Sequence, residues 1–427
     1  MPRNIPGIKD VADTLFQWLA NWCTRGHACA PEAANFWNER EWDIARAVII
    51  IHGMGPLWGY LLSQQQDKKL FPQSLYRFLM QQYQENSIRL ALMDKEKKRI
   101  LKAFRQREIQ IMPFKGIELA CHLYPDNGSR PMADIDLYVL PEQRAEVCRL
   151  IEQLGYKIHA ANQCGITCYP QHWQNEEADL AREINWHGAQ IETQNKTLLM
   201  MGESSRLPFS LDIHFSMHQG TRETRFNLDK VFRKACLHSG ALSPEEALVF
   251  QLLHATKHLR SHSGRWIQLY DIYLLLKHTT ISWDKVFAIT DKERLSPQLL
   301  LPLILTRKLF GHNVQALEQR LAAQTPLHLR LLFNRLSLCE LSCCNPYLMP
   351  VWRSLFWTHN IRHLSQWLTL SLKADKETTL LADGQATALA PFSKRFIRAL
   401  KKFITKTTRP QWQIFALQDL RPGRDWN

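Results

Sequence analysis

The chain has 427 residues, 45% of them hydrophobic and 22% charged, which is enough for two or three domains around a large core and has the balance of a soluble globular protein. A formal charge of +14 favours polyanionic partners such as nucleotides, RNA or an anionic membrane surface, and residues 391–427 hold half of it, with nine Lys/Arg against two Asp. Ten scattered cysteines without a C-x-x-C pair read as thiols rather than zinc ligands, and no signal-like or membrane-spanning apolar run stands out, so a cytoplasmic location is expected.

The first third reads as helical. Val11, Leu15, Trp18 and Leu19 fall on one helical face. A second helix over 41–51 is broken by Gly53, Gly55 and Pro56, and a third runs to about Gln64. Residues 74–107 give long helical stretches whose charged run, Lys95, Lys97, Lys98 and Arg99, reads as a solvated face.

At Ile109 the pattern changes. A short alternating strand over 109–112 leads through a Lys115-Gly116 turn into a helix over 117–123. A turn-rich loop carrying Arg130-Pro131 follows, and then a strand over 134–139 containing Asp134-Ile135-Asp136. Pro141 opens a helix that closes at Gly155. Strands are expected near 156–159, 182–186 and 210–215. From Ser243 the chain is helical again, with an N-cap, Pro244 at the first position and Glu245 and Glu246 in the first turn.

Two carboxylates at i and i+2 of a strand project from one face and repel each other unless a hard divalent cation lies between them. Mg²⁺ suits such oxygen ligands and takes its remaining ligands from water and substrate phosphates. Asp134 and Asp136 therefore mark a candidate phosphoryl-transfer centre. On the later segment 211–217, Asp212 and His214 share one face while Leu211, Ile213 and Phe215 face the core.

The order Lys115-Gly116, helix, Arg130-Pro131, Asp134-Ile135-Asp136 resembles the uncharacterised bacterial nucleotidyltransferases of the DNA polymerase β superfamily, with 211–217 resembling their third acidic strand. The segments 242–258 and 266–276 resemble the helical C-terminal half of that family, and the likeness spans about 41–288. Together with the pattern along the chain, the reading is an α+β fold: a small mixed β-sheet nucleotidyltransferase core (109–220) flanked by an N-terminal helical region (1–108) and a C-terminal helical region (221–390), followed by a basic amphipathic tail (391–427) that the resemblance does not cover. The resemblance also implies that Asp134, Asp136 and Asp212 are catalytic and hold Mg²⁺, with Mn²⁺ as a substitute, against the triphosphate of an NTP such as ATP. Lys115, Gly116 and Arg130 would contact phosphates. The acceptor hydroxyl would belong to a small molecule, an RNA 3′ end or a protein. One departure is that Gly116 is followed by Ile117, not by a second Gly or Ser. Glu183 and Glu192 compete with Asp212 for the third acidic position. The alternative is a catalytically inactive nucleotide- or RNA-binding protein of the same fold.

His254, His258 and His262 recur every fourth residue, and His214 and His218 repeat that spacing, so a zinc hydrolase is a rival. The first pair lacks the Glu of H-E-x-x-H and contains Lys257, which opposes a cation. His254 and His258 are therefore read as packed against the nucleotide cleft, with His258, Arg260 and Asp271 lining a base or acceptor pocket. In the tail, 393–404 forms a basic amphipathic helix that either docks on the protein or meets RNA or an anionic membrane. The fourteen tryptophans are read as core.

Overall fold

The computed structural model describes residues 8–26, 30–65, 70–171, 209–219, 226–260, 263–293, 295–312 and 314–342. The strand expected over 182–186, Glu183, Glu192, His262 and the whole basic tail lie outside these residues.

The N-terminal helices are α1 (Ile8–Arg25), α2 (Glu39–His52), α3 (Gly55–Ser63) and α4 (Gln73–Gln106). The α2 helix begins with a capping box, in which the Asn38 side chain accepts from the Glu41 backbone while Glu41 Oε2 accepts from Asn38 N. Gly53 ends it in the left-handed conformation. The stretches expected over 74–107 form one helix of 34 residues.

The core then follows as β1 (Ile111–Pro113), α5 (Gly116–Leu123), β2 (Asp134–Val139), α6 (Arg144–Gln153), β3 (Tyr156–Ala161), β4 (Gly165–Pro170) and β5 (Ser210–His214). The five strands form one mixed sheet in the order β1-β2-β5-β4-β3. Only the central pair, β2 and β5, is parallel. β4 has no counterpart among the strands expected from the sequence. After the small ribbon β6 (His218–Gln219) and β7 (Phe226–Asn227), the chain is helical: α7 (Asp229–His238), α8 (Pro244–Arg260), α9 (Trp266–His278), α10 (Trp283–Glu293), α11 (Ser296–Phe310), α12 (Gln315–Ala323) and α13 (Leu327–Arg335). At the start of α8, Ser243 N donates to Glu246 Oε2 and Glu246 N to Ser243 Oγ, the expected cap.

The two faces of the sheet meet different surroundings. Ile135, Leu137 and Val139 of β2, with Leu211 and Ile213 of β5, pack under α4, α5 and α6 in a core that includes Met93, Ile100, Phe104, Ile117 and Val147. Tyr138, on the other face, joins the larger helical core with Phe232 and Phe250. Period-two alternation therefore turns Asp134 and Asp136 away from the first core and toward the C-terminal helices.

The long α4 is a strut for the loop ahead of β2. Asn86 Nδ2 donates to Gly128 O at 2.6 Å, and buried Arg89 donates from Nε to Met132 O at 2.9 Å and from Nη2 to Ala133 O at 3.4 Å. Lys97 departs from the solvated reading. It is 9% exposed and pairs with Asp94 at 3.6 Å and with Glu118 of α5 at 3.2 Å. The N- and C-terminal helices are joined where Arg265 Nε donates to Ile51 O and Trp266 N donates to His52 Nδ1, at 2.9 and 3.0 Å. Among the described residues no single helix is long and apolar enough to cross a membrane.

Candidate active site

Parallel pairing of β2 with β5 sets Asp136 directly opposite Asp212, and antiparallel pairing sets Thr167 of β4 opposite Asp212 on its other side. His214 follows Asp212 by two residues and shares its face. Asp136 Oδ1 accepts two hydrogen bonds, from Lys115 Nζ at 2.5 Å and from His214 Nε2 at 2.9 Å. Ligand atoms of Asp136, Asp212 and His214 all lie within 4.8 Å of one another, the one such cluster of three among the described residues. Asp212 Oδ1 is buried and has no hydrogen-bond partner among those residues.

The three carboxyls differ electrostatically. Burial pushes Asp136 up, but Lys115 and His214 outweigh it and hold the group below the usual carboxylate range. Asp134 has no such donors among the described residues; burial and the Asp136 charge push it up to about 7. Burial and Asp136 also raise Asp212. Lys115 is pulled down by burial, yet Asp136 and Asp134 leave it raised and therefore charged.

Lys115 sits at φ +60°, ψ −135°, a conformation that L side chains rarely adopt. That strain lies at the turn from β1 into α5, where the ammonium must swing back onto Asp136. Gly116 is the first residue of α5, whose first-turn N–H groups have no partners within the helix. A Cβ on Gly116 would collide with Arg130 Nη1 and come within 2.7 Å of Met132 Sδ. The missing side chain makes room for Arg130. The guanidinium is fixed by Asp271 of α9, which accepts from Nε at 2.9 Å and from Nη2 at 2.7 Å. Asp271 is 1% exposed, so it lines no open pocket, contrary to the sequence reading.

On α8, His254 Nε2 and His258 Nε2 are 3.2 Å apart, and His258 Nδ1 lies 3.1 Å from Ser263 Oγ. Burial, followed by neighbouring Lys257, Arg265 and Lys115, lowers His258 to about 4. His254 is lowered well below the ordinary histidine value by burial, with His258, Lys115, Lys257 and Arg130 adding to the effect. Both imidazoles are thus neutral at neutral pH, and they lie in the electrostatic field of Lys115. Lys257 senses the same neighbours: burial and Lys115 lower it, and Asp136 opposes them. The second histidine pair does not form the expected i,i+4 face. His214 ends β5, whereas His218 lies on β6 and contacts Asp229 at 3.2 Å.

Of the residues singled out in the sequence, Asp134, Asp136, Asp212, Lys115, Gly116 and Arg130 converge around one end of β2 and the start of α5. Asp134 falls outside the three-residue cluster, and His214 stands in it. The alternation that places His214 on the Asp212 face is the available signal, and the direct bond to Asp136 has none in the sequence. Asp271 matters for a different reason from the expected one, because its partnership with Arg130 spans 141 positions of chain.

Acidic side chains on adjacent strands, opposed by a cationic turn and a helix start, define a class of site suited to phosphate esters carrying a divalent metal. The profile of a family described as uncharacterised nucleotidyltransferase matches residues 38–311, well over half of the chain, and the protein belongs to that family. Searches of curated proteins and of solved structures return no match. The donor set fits a metal on its own chemistry: two carboxylates and an imidazole within reach of one another, with one buried carboxylate oxygen unsatisfied.

Proposed function

We propose that the protein is a Mg²⁺-dependent nucleotidyltransferase that moves a nucleoside monophosphate from an NTP to an acceptor hydroxyl. The supporting observation is the register of Asp136 opposite Asp212, with a buried unsatisfied oxygen on Asp212, inside a family of nucleotidyltransferases. Asp136 and Asp212, with Asp134 beside them on β2, hold Mg²⁺ or Mn²⁺. When bound, the metal neutralises charge at the α-phosphate and lowers the pKa of the attacking hydroxyl.

The protein groups have distinct tasks. Lys115 and Arg130 neutralise the β- and γ-phosphates, and first-turn N–H groups at Gly116 accept close approach of phosphate oxygens. Neutral His258, paired with His254, stands on the opposing wall, where it contacts the nucleotide without adding charge. The acceptor hydroxyl gives its proton to solvent as its oxygen bonds to the α-phosphorus, the bond from that phosphorus to the β-phosphate oxygen breaks, and pyrophosphate leaves. The acceptor belongs to a small molecule, an RNA 3′ end or a protein side chain, and the reaction takes place in the cytoplasm.

One observation favours a second reading. Asp136 Oδ1 is bonded by both Lys115 and His214, an arrangement that a silent nucleotide- or RNA-binding relative would also use. Incubation with NTPs labelled at either the α- or the γ-phosphate, Mg²⁺ and fractionated cell extract separates the two. Nucleotidyl transfer places the α label, never the γ label, on one fraction, and Asp134→Asn or Asp136→Asn abolishes it. NTP binding without transfer of either label supports the silent reading.

A further inference from the structure

We infer that Asp271 is a positioning residue for Arg130, setting the guanidinium edge that meets the triphosphate; this rests on the nucleotide reading of the site. Asp271 belongs to α9, far along the chain from the acidic strands, and its side chain is 2% exposed. A buried carboxylate repels phosphate, so its contribution runs through a cation. Its two oxygens take Nε and Nη2 of Arg130, and Tyr124 Oη donates to Oδ1 at 2.7 Å. Three charge-assisted bonds leave the guanidinium plane little freedom.

What that plane faces gives the pair its meaning. Nη1, the terminal nitrogen not engaged with Asp271, lies over Gly116, so close that a Cβ there would collide with it. The same guanidinium contributes to the fields felt by Asp134 and by His254, so it lies near both the acidic strand and α8. A fork held through Nε and one N–H of Nη2 presents its Nη1/Nη2 end in one orientation, as bidentate recognition of phosphate oxygens requires. Without Asp271 the side chain keeps its charge but loses that orientation.

A purely structural ion pair between α9 and the loop makes different predictions. Calorimetric titration of the full chain with each of the four ribonucleoside triphosphates and matching monophosphates, in Mg²⁺, separates them. Asp271→Asn is expected to weaken the best triphosphate about tenfold, equivalent to about 1.4 kcal/mol, with the monophosphate changed less than about twofold. Asp271→Glu should recover part of the loss. In an Arg130→Gln background, Asp271→Asn should cost nothing further, since the residue it positions is gone.

Unchanged triphosphate affinity in folded Asp271→Asn, or losses that simply add in the double variant, overturns the inference while leaving the nucleotide reading intact. If Asp271→Asn does not fold, Asp271→Glu carries the test, and wild-type affinity in an off-length carboxylate with lowered stability overturns the inference. Failure of the wild type to bind any triphosphate removes the nucleotide reading and this inference with it.

Discussion

Asp136 and Asp212 face each other in register across adjacent parallel strands, yet one is hydrogen-bonded by both Lys115 and His214 and the other keeps a bare buried oxygen. The asymmetry follows from the turn before α5. Lys115 reaches Asp136 because β1 lies beside β2 at the sheet edge, whereas Asp212 is flanked in its own row by Asp136 of β2 and Thr167 of β4. A divalent cation held there would take the place of the Lys115 ammonium at Asp136 and satisfy the bare oxygen of Asp212, which would leave Lys115 for phosphate.

Stability of the metal-free protein should fall as pH rises toward 8. Asp134 has a folded-state pKa of about 7, above the roughly 3.9 of an unfolded carboxylate. The folded protein holds that proton more tightly, so the contribution is fully present below about pH 4 and is lost as pH rises through about 7. Thermal melts with EDTA should show this decline between pH 5 and 8. Asp134→Asn should flatten it, and Mg²⁺ should raise the melting temperature more at pH 8 than at pH 5. Equal Mg²⁺ effects at both pH values would argue against Asp134 as part of the metal site.

Lys115 combines strained backbone with a needed charge, and two substitutions pull these apart. Lys115→Gly relieves the positive φ and Lys115→Ala does not, so the glycine variant should be more stable than the alanine variant by about 1 kcal/mol in urea unfolding. Both should lose nucleotidyl transfer. Identical stabilities would mean that the turn relaxes without a glycine.

His214 is expected to shape metal preference. Imidazole favours transition metals over Mg²⁺, so His214→Ala should weaken Mn²⁺ binding several-fold more than Mg²⁺ binding, read by competition titration. Equal weakening of both would reduce its part to orienting Asp136.

Gly116 and Gly155 offer a matched comparison. Ala at 116 collides with Arg130 and Met132, where Arg130 is pinned by Asp271 and cannot yield freely. The expected cost is about 1–3 kcal/mol, together with weaker triphosphate binding. Gly155 has φ +84° and open space where an added methyl would stand. Gly155→Ala should cost about 1 kcal/mol and leave nucleotide binding unchanged. A binding loss at 155 matching that at 116 would show that overall destabilisation, not local geometry, controls binding.

Much of this site is legible along the chain because its parts are local signals. The i, i+2 carboxylates of β2, the Lys115-Gly116 turn and the alternation of 211–215 each fall within a few residues, and strand periodicity fixes their faces. The helical flanks are legible for the same reason, through apolar spacing and the Ser243 cap. β4 escapes because Ile166, Thr167 and Tyr169, although strand formers, make only a short run between Gly165 and Pro170, and its place beside β5 depends on long-range pairing. Lys97 looks solvated in the sequence because its partner Glu118 lies on another helix. Asp271 misleads in the same way, since burial against Arg130 arises only once α9 packs on the core.

The most direct test is a crystal structure with Mn²⁺ and a non-hydrolysable NTP analogue, with the metal located by anomalous scattering. A peak is expected about 2.0–2.3 Å from carboxylate oxygens of both Asp136 and Asp212, with Lys115 moved from Asp136 onto the phosphates and Arg130 still held by Asp271. A nucleotide bound elsewhere, or one bound here with Lys115 still on Asp136 and no metal between the strands, would contradict it.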